Sequence, residues 1–433
     1  MTATPGSTSL PARDRAQPRG LAAISPTLLG LGLVVVAFLI YLACNRQFNA
    51  ARGDFFYLAD AFMHGRTWLP FALGIYDDVF VGTRVYVPFA PFPAIAVLPL
   101  VAVVGPEFAD KVQPIVNAGI AAADVGLVWA LAGRIGVRSS MDRFWLALLF
   151  GFSTAHWWVT TRGGVWHTGH LIASLLTLLV LYELFGRRRA LLVGLLGGLA
   201  FLTRVPVAFA MPFYALWFVA DRLERDAFAR VRAAADGSAA RTRSWLGLIQ
   251  WRAWITMTIG FLPAALFFFW YNQVRFGSPF ESGYGLATLP AWLEACRDQG
   301  LFSLVHVPMN LDLLFVHVPM PIKDFPFFKP DGMGLSVFLT SPALFLALRA
   351  DWRSRRTWIL AGAAVATLIP SLLYYGGGWL QYGYRYALDS IPFVVALCAM
   401  AAVRVGISRF WRVLILFGVV VNAFGVYWAY NIH

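Results

Sequence analysis

Apolar runs recur along the chain between short basic loops, most of them near the ~20 residues a helix needs to cross a bilayer. Eleven stand out, at 27–44, 112–133, 144–160, 168–186, 190–203, 206–220, 252–272, 335–349, 357–375, 388–403 and 413–430. A further run, VPFAPFPAIAVLPLVAVVG at 87–105, carries four prolines. Proline removes a backbone donor and clashes inside a helix, so this piece is expected to be re-entrant or juxtamembrane, with protein or a watery cavity around its broken backbone. The predicted fold is all-α: a polytopic transmembrane helical bundle of eleven spans, with juxtamembrane helices in the outer loops. A content of 59% hydrophobic and only 13% charged residues agrees with the membrane class.

Charge then orients the bundle. Lys and Arg in short loops are retained on the cytoplasmic side. With the N-terminus inside and 87–105 not crossing, every basic loop falls in the cytoplasm: the tail with Arg13, Arg15 and Arg19, the 134–143 loop, the triplet Arg187 to Arg189, the 221–251 loop, 349–356 and 404–412. The net charge of +13 is therefore an expression of topology, and no basic reading surface is left for nucleic acid. The domain plan is a disordered cytoplasmic tail, 1–26, followed by a single transmembrane domain, 27–433. Its long segments are a first outer loop at 45–111, a basic cytoplasmic loop at 221–251 and a second outer loop at 273–334. Cys44, Cys296 and Cys398 lie too far apart in sequence to form a metal or disulfide pattern.

Ionisable residues at span ends are costly and mark function by default. Four outer stretches carry them. LTRVP holds Arg204, TRGGVWHTGH holds Arg162, His167 and His170, and GGGWLQYGYRYALDS holds Gln381, Tyr384, Arg385 and Asp389. The fourth, RGDFFYLADAFMHG, puts Asp54 and Asp60 just beyond the first span. Its apolar residues at 55, 56, 58, 59, 62 and 63 predict an amphipathic interfacial helix. Asp54 then sits either as its N-cap or as a working carboxylate. His167 and His170, three apart, read as a metal pair or as plain interfacial histidines, and Arg385 with Asp389, four apart, reads as an ion pair within one helix. Arginine offers a fork of donors to phosphate, and a carboxylate can take a proton from a hydroxyl. Arginines and carboxylates on one side of a membrane thus suit a phosphate-bearing substrate and a nucleophilic hydroxyl.

The first-loop acid beside an amphipathic helix, the PFAPFPAIAVLPL stretch, and the segments GLLGGLAFLTRVP and YGYRYALDSIPF resemble the GT-C fold integral-membrane glycosyltransferases. The likeness is to the glycosyltransferase family 39 group of protein O-mannosyltransferases and lipid A aminoarabinose transferases. It implies a polyprenyl-phosphate-linked sugar as donor, no nucleotide sugar, and a glycan, lipid or protein acceptor. It makes Asp54 the expected catalytic base and Asp60 a supporting residue. The chain departs from the pattern where Phe55 follows Asp54 instead of a second acid, and where Phe89 and Ala90 stand in place of a lysine. Phosphate binding is therefore expected from Arg204 and Arg385, with Arg84 and Lys323 in reserve and His167, His170, Gln381, Tyr384 and Asp389 beside the substrate. No metal ligands are assigned, although the reaction works in principle with or without a divalent ion. Inverting transfer on the extracytoplasmic side is the expected reaction. A lipid or glycan flippase and a non-catalytic assembly protein are the rivals, and no inverted repeat of the transporter kind is visible.

Overall fold

The computed structural model describes residues 25–45, 52–74, 76–235, 250–325 and 327–431, apart from the side chains of 225–235 and 429–431. The expected disordered tail, up to residue 24, and positions 236–249 of the basic loop lie outside the described residues. The helices are α1 (Pro26–Cys44), α2 (Asp54–Met63), α3 (Phe92–Val104), α4 (Pro106–Lys111), α5 (Gln113–Ile135), α6 (Ser140–Phe152), α7 (His156–Arg162), α8 (Val165–Leu184) and α9 (Ala190–Phe201). They continue as α10 (Met211–Ala235), α11 (Trp251–Phe276), α12 (Ala291–Arg297), α13 (Val307–Leu311), α14 (Val337–Thr340), α15 (Arg355–Leu373), α16 (Ile391–Val405) and α17 (Arg409–Asn431).

Six of these, α1, α5, α8, α11, α15 and α17, are long and apolar enough to cross a membrane, and each coincides with an expected span. The chain is an all-α integral membrane protein. The other expected spans are shorter or broken. The run 144–160 is cut between α6 and α7, where the Thr154 hydroxyl donates to the Phe150 carbonyl (2.7 Å) and accepts from the His156 amide (3.2 Å). Such side-chain bonds offer the backbone an alternative to the helix. The run 335–349 is α14 followed by a 3-10 turn, Pro342–Arg349, and 206–220 begins as the 3-10 turn Val205–Ala210 before α10. In the proline-rich stretch only the 13 residues of α3 are helical, about 20 Å at 1.5 Å per residue. That is short of a crossing.

Burial sorts the helices. α8 has sixteen of its twenty residues buried and forms the centre of the bundle, against α5, α7, α9 and α16. α11 has only six buried residues out of 26 and lies at the periphery, its Ile255, Ile259, Leu262 and Leu266 facing outward. It touches α9 backbone to backbone: a Cβ at Gly194 would collide with the Met257 carbonyl, and one at Gly260 with the Leu191 carbonyl. Gly194 and Gly198 repeat at four residues, the small-residue spacing that lets helices approach closely in lipid.

The segment after α1 folds as a small layer on one end of the bundle. α2 buries Phe55, Phe56, Leu58, Ala59 and Ala61 against α3 and α4, the amphipathic helix its pattern predicts. A hairpin, β1 (Val79–Val81) with β2 (Arg84–Tyr86), follows it. A second small hairpin, β3 (Met320–Pro321) with β4 (Phe328–Lys329), belongs to the later long segment.

Candidate active site

A cavity of about 750 Å³ opens under this layer, where α8 begins, α15 ends and the 3-10 turn Arg385–Asp389 leads into α16. Five arginines reach its wall from five separate parts of the chain: Arg52, Arg162, Arg204, Arg275 and Arg385. Aromatic rings, among them Trp166, Tyr284, Tyr374 and Tyr386, make much of the remaining surface. Among the described residues Asp77 is the one carboxylate lining it.

The fold places each arginine differently. Arg204 precedes the 3-10 turn that opens at Val205 and grips Asp389 in two parallel bonds, Nε to Oδ1 at 2.7 Å and Nη2 to Oδ2 at 2.8 Å. Its guanidinium also stands over the Tyr386 ring, 5.6 Å from the centroid. Arg275, in the last turn of α11, donates to the Val87 carbonyl (2.7 Å) and to Asn272 Oδ1 (2.8 Å). Arg385 donates Nη1 to the Trp379 carbonyl at 3.1 Å, while its buried Nε has no hydrogen-bond partner. His167, bonded through Nδ1 to the Gly163 carbonyl, leaves Nε2 unpartnered, and His170 makes no hydrogen bond, its Nδ1 facing Asp389 Oδ1 at 3.6 Å and its Nε2 open. Buried donors and acceptors left open cost ~1–3 kcal/mol each unless something fills them. Here they gather on one wall of one cavity.

Arg52 organises the acidic side. Its Nε and Nη2 bind Asp54 at 3.0 and 2.5 Å, and Nη2 also reaches Asp78 Oδ1 at 2.5 Å. The other Asp78 oxygen accepts from the Leu73 and Gly74 amides. Asp54 and Asp78 are both fully buried. Burial pushes the Asp54 carboxyl above the usual carboxylate range, against the pull of Arg52. Asp77 is only partly buried, and its Oδ2 accepts from Trp166 Nε1 at 3.1 Å. Burial raises its pKa as well, with Arg52 and Arg385 opposing.

Of the residues singled out in the sequence, Arg204, Arg385, His167 and His170 meet in the cavity. Asp54 does not line it, because the Arg52 guanidinium covers both carboxylate oxygens. Nor is Asp54 a cap: Gly53 holds that position, and Asp54 is the first helical residue. Asp60 is off the cavity, half-exposed and 3.6 Å from His64 one turn on. Arg84 is exposed over the Trp68 ring, and Lys323 is exposed between β3 and β4. Gln381, Tyr384 and Asp389 stand behind the wall. Gln381 binds the Met333 and Gly377 carbonyls, Tyr384 donates to Asn310 Oδ1, and Asp389 pairs with Arg204 in place of the intrahelical Arg385. Among the described residues no group of three or more His, Cys, Asp or Glu side chains is arranged to hold a metal ion. The sequence reading missed Asp77, Arg52 and Arg275. The doublet Asp77-Asp78 inside the otherwise apolar GIYDDVFV was the available signal for the first.

No family model and no curated protein sequence matches the chain. Among solved structures it is similar to ArnT from Cupriavidus metallidurans bound to undecaprenyl phosphate, with 13% identity, a TM-score of 0.48, and coverage of 87% of this chain and 60% of that one. It is also similar to the archaeal oligosaccharyltransferase AglB from Archaeoglobus fulgidus in complex with an inhibitory peptide and a dolichol-phosphate, with 14% identity, a TM-score of 0.47, and coverage of 92% and 56%. The apo form of the Archaeoglobus fulgidus oligosaccharyltransferase gives 14%, 0.48, and 92% and 55%. The chain thus spans 60% or less of the length of these proteins.

Proposed function

We propose that the chain is a membrane glycosyltransferase that moves a sugar from a polyprenyl-phosphate donor to an extracytoplasmic hydroxyl of a glycan, lipid or protein, with inversion at the anomeric carbon. The observation that carries this reading is the cavity wall on which Arg204, Arg385, His167 and His170 converge, with the Arg385 Nε and His167 Nε2 left open. Guanidinium forks suit the oxygens of a phosphodiester. The same cavity is walled by apolar residues such as Phe268, Phe280 and Pro206, at the end of a membrane bundle, which suits an isoprenoid tail. Aromatic faces suit the sugar ring. The arginines would neutralise the departing polyprenyl phosphate, so fixed charge rather than a covalent intermediate would lower the barrier. ArnT and AglB were each solved with an isoprenoid phosphate, but at this level of likeness the reading stands on the cavity alone.

Orientation follows the positive-inside rule, with the N-terminus cytoplasmic and the cavity outside. The purified protein should bind and turn over synthetic short-chain polyprenyl-phosphate pentoses or hexoses. Mass spectrometry of the products and titration of the intact donors check this. Neither binding nor turnover across such a panel would remove the reading.

A further inference from the structure

Three acids, Asp54, Asp77 and Asp78, stand around the Arg52 guanidinium, and they are not equivalent. Asp54 and Asp78 are fully buried and each accepts a bond from Arg52. Their oxygens are committed to the scaffold. Asp77 points the other way, into the cavity, with one oxygen fixed by Trp166.

The backbone goes out of its way to present it. Asp77 has φ 67°, in the left-handed region that few residues other than Gly, Asn and Asp visit. Two hydrogen bonds to a distant segment hold it there: the Asp77 amide donates to the Thr288 carbonyl at 2.8 Å, and the Thr288 amide donates to the Asp78 carbonyl at 3.0 Å. Strain of this kind persists where surrounding structure over-determines it, and clusters at working sites. Trp166 locks the rotamer, Arg52 anchors the neighbouring acids, and Thr288 ties the turn to the later segment. All three act to aim one carboxylate.

We infer that Asp77, not Asp54, is the general base of the transfer, with Arg52 and Asp54 as its positioning frame. This rests on the glycosyltransferase reading above. Asp77 takes the proton from the attacking hydroxyl. The hydroxyl oxygen bonds to the anomeric carbon as the carbon–oxygen bond to phosphate breaks, its electron pair leaving on the polyprenyl phosphate. The products are the glycoside, the lipid phosphate and a protonated Asp77, which returns its proton to water. His167 and His170 suit this role less well. His170 faces Asp389 at 3.6 Å, but that carboxylate is already neutralised by Arg204, and His167 lies near the Arg385 guanidinium, so a proton taken on either adds a cation to a cationic wall. On Asp77 it cancels an anion.

The test uses two nucleophiles on a synthetic polyprenyl-phosphate sugar. Water must lose a proton as it attacks, whereas azide, already an anion, needs no base. Asp77→Ala and Asp77→Asn are expected to lose ~10²- to 10⁴-fold in donor hydrolysis while forming glycosyl azide at close to the wild-type rate, with donor KM little changed. Asp54→Asn disturbs the Arg52 frame and should slow both reactions. The pH profile adds a second readout. The base works deprotonated, and burial places Asp77 above the ordinary aspartate range. Wild-type hydrolysis should therefore fall as pH drops through a value higher than that of a solvated aspartate. The acidic limb should vanish in Asp77→Asn and remain in His167→Gln. Hydrolysis that survives in Asp77→Asn, equal loss of azide and water reactions in both Asp77 variants, or an acidic limb that disappears with His167 would each overturn the assignment. A wild-type protein that uses neither nucleophile with any donor would instead count against the glycosyltransferase reading.

Discussion

The two ends of the bundle both gather arginines, and they use them for different work. α8, α15 and α16 with its leading 3-10 turn each have one end at the cavity just described and the other at a second concavity, about 940 Å³, lined by Arg134, Arg188, Arg353, Arg356 and Arg404 with Glu224 and Asp351. At that second end Arg188 and Arg356 both bond to Asp221, and Arg356 also reaches Glu224 at 2.6 Å. Arg134, Arg353 and Arg404 are exposed. These charges are exposed or paired with neighbouring carboxylates, the arrangement expected of a cytoplasmic face under the orientation proposed above. At the first end Arg385 is buried beside aromatic rings and keeps an unfilled donor. The number of arginines teaches little, and so does one open donor, since Arg356 at the second end also keeps a buried Nε without a partner; the ends differ in that Arg356 is paired with Asp221 and Glu224 whereas the Arg385 guanidinium, among the described residues, bonds only a backbone carbonyl.

Removing charge partners should break the symmetry between the ends most sharply. Arg204→Ala leaves Asp389, 1% exposed, with only the His170 ring at 3.6 Å in place of its bidentate partner, a loss of roughly 3–5 kcal/mol for a buried pair. Glu224→Gln at the other end, where the carboxylate is 41% exposed, should cost about 0–1 kcal/mol. Thermal unfolding of the two variants in the same detergent measures the gap, and equal shifts would mean the two ends are alike. Donor binding sharpens the contrast at a smaller scale. Arg385→Ala should weaken a polyprenyl-phosphate sugar by about 10- to 100-fold, the worth of a hydrogen bond to a charged group, while Arg404→Ala should leave the titration curve unmoved. The smallest effect concerns Asp60: its loose, half-exposed pairing with His64 predicts a stability change within about 0.5 kcal/mol for Asp60→Ala and unchanged turnover, checked by the same melting and hydrolysis measurements.

Hydropathy made much of the fold legible. A helix crossing lipid must satisfy its own backbone, so α1, α5, α8, α11, α15 and α17 announce themselves as unbroken apolar runs. Where the chain is irregular, averages over a window mislead. Ser153 and Thr154 look harmless inside an apolar stretch, yet the Thr154 hydroxyl captures backbone groups and ends α6. At the cavity, Arg204, Arg385, His167 and His170 were legible because a charged or polar ring is conspicuous among apolar neighbours. Asp54 was legible as a residue, but its burial under Arg52 was not, since nothing local says that Arg52, two positions away, folds back over it. Arg275 reads in sequence as a cation at a helix C-terminus, a common dipole partner. Asp77 depends on a contact with Thr288, more than two hundred positions on, and no periodicity encodes that.

The glycine seam between α9 and α11 has a mechanical corollary. Two rods that touch main chain to main chain at Gly194 and Gly260, and ring to ring where Phe201 packs on Phe261 and Phe268, move as one plank. α9 leads directly to Arg204 and α11 ends on Arg275, so the plank carries two of the cavity's guanidiniums at its tip. If the donor is the long isoprenoid lipid proposed above, its lateral entry would part this plank from its neighbours, and the two cations would travel together with it.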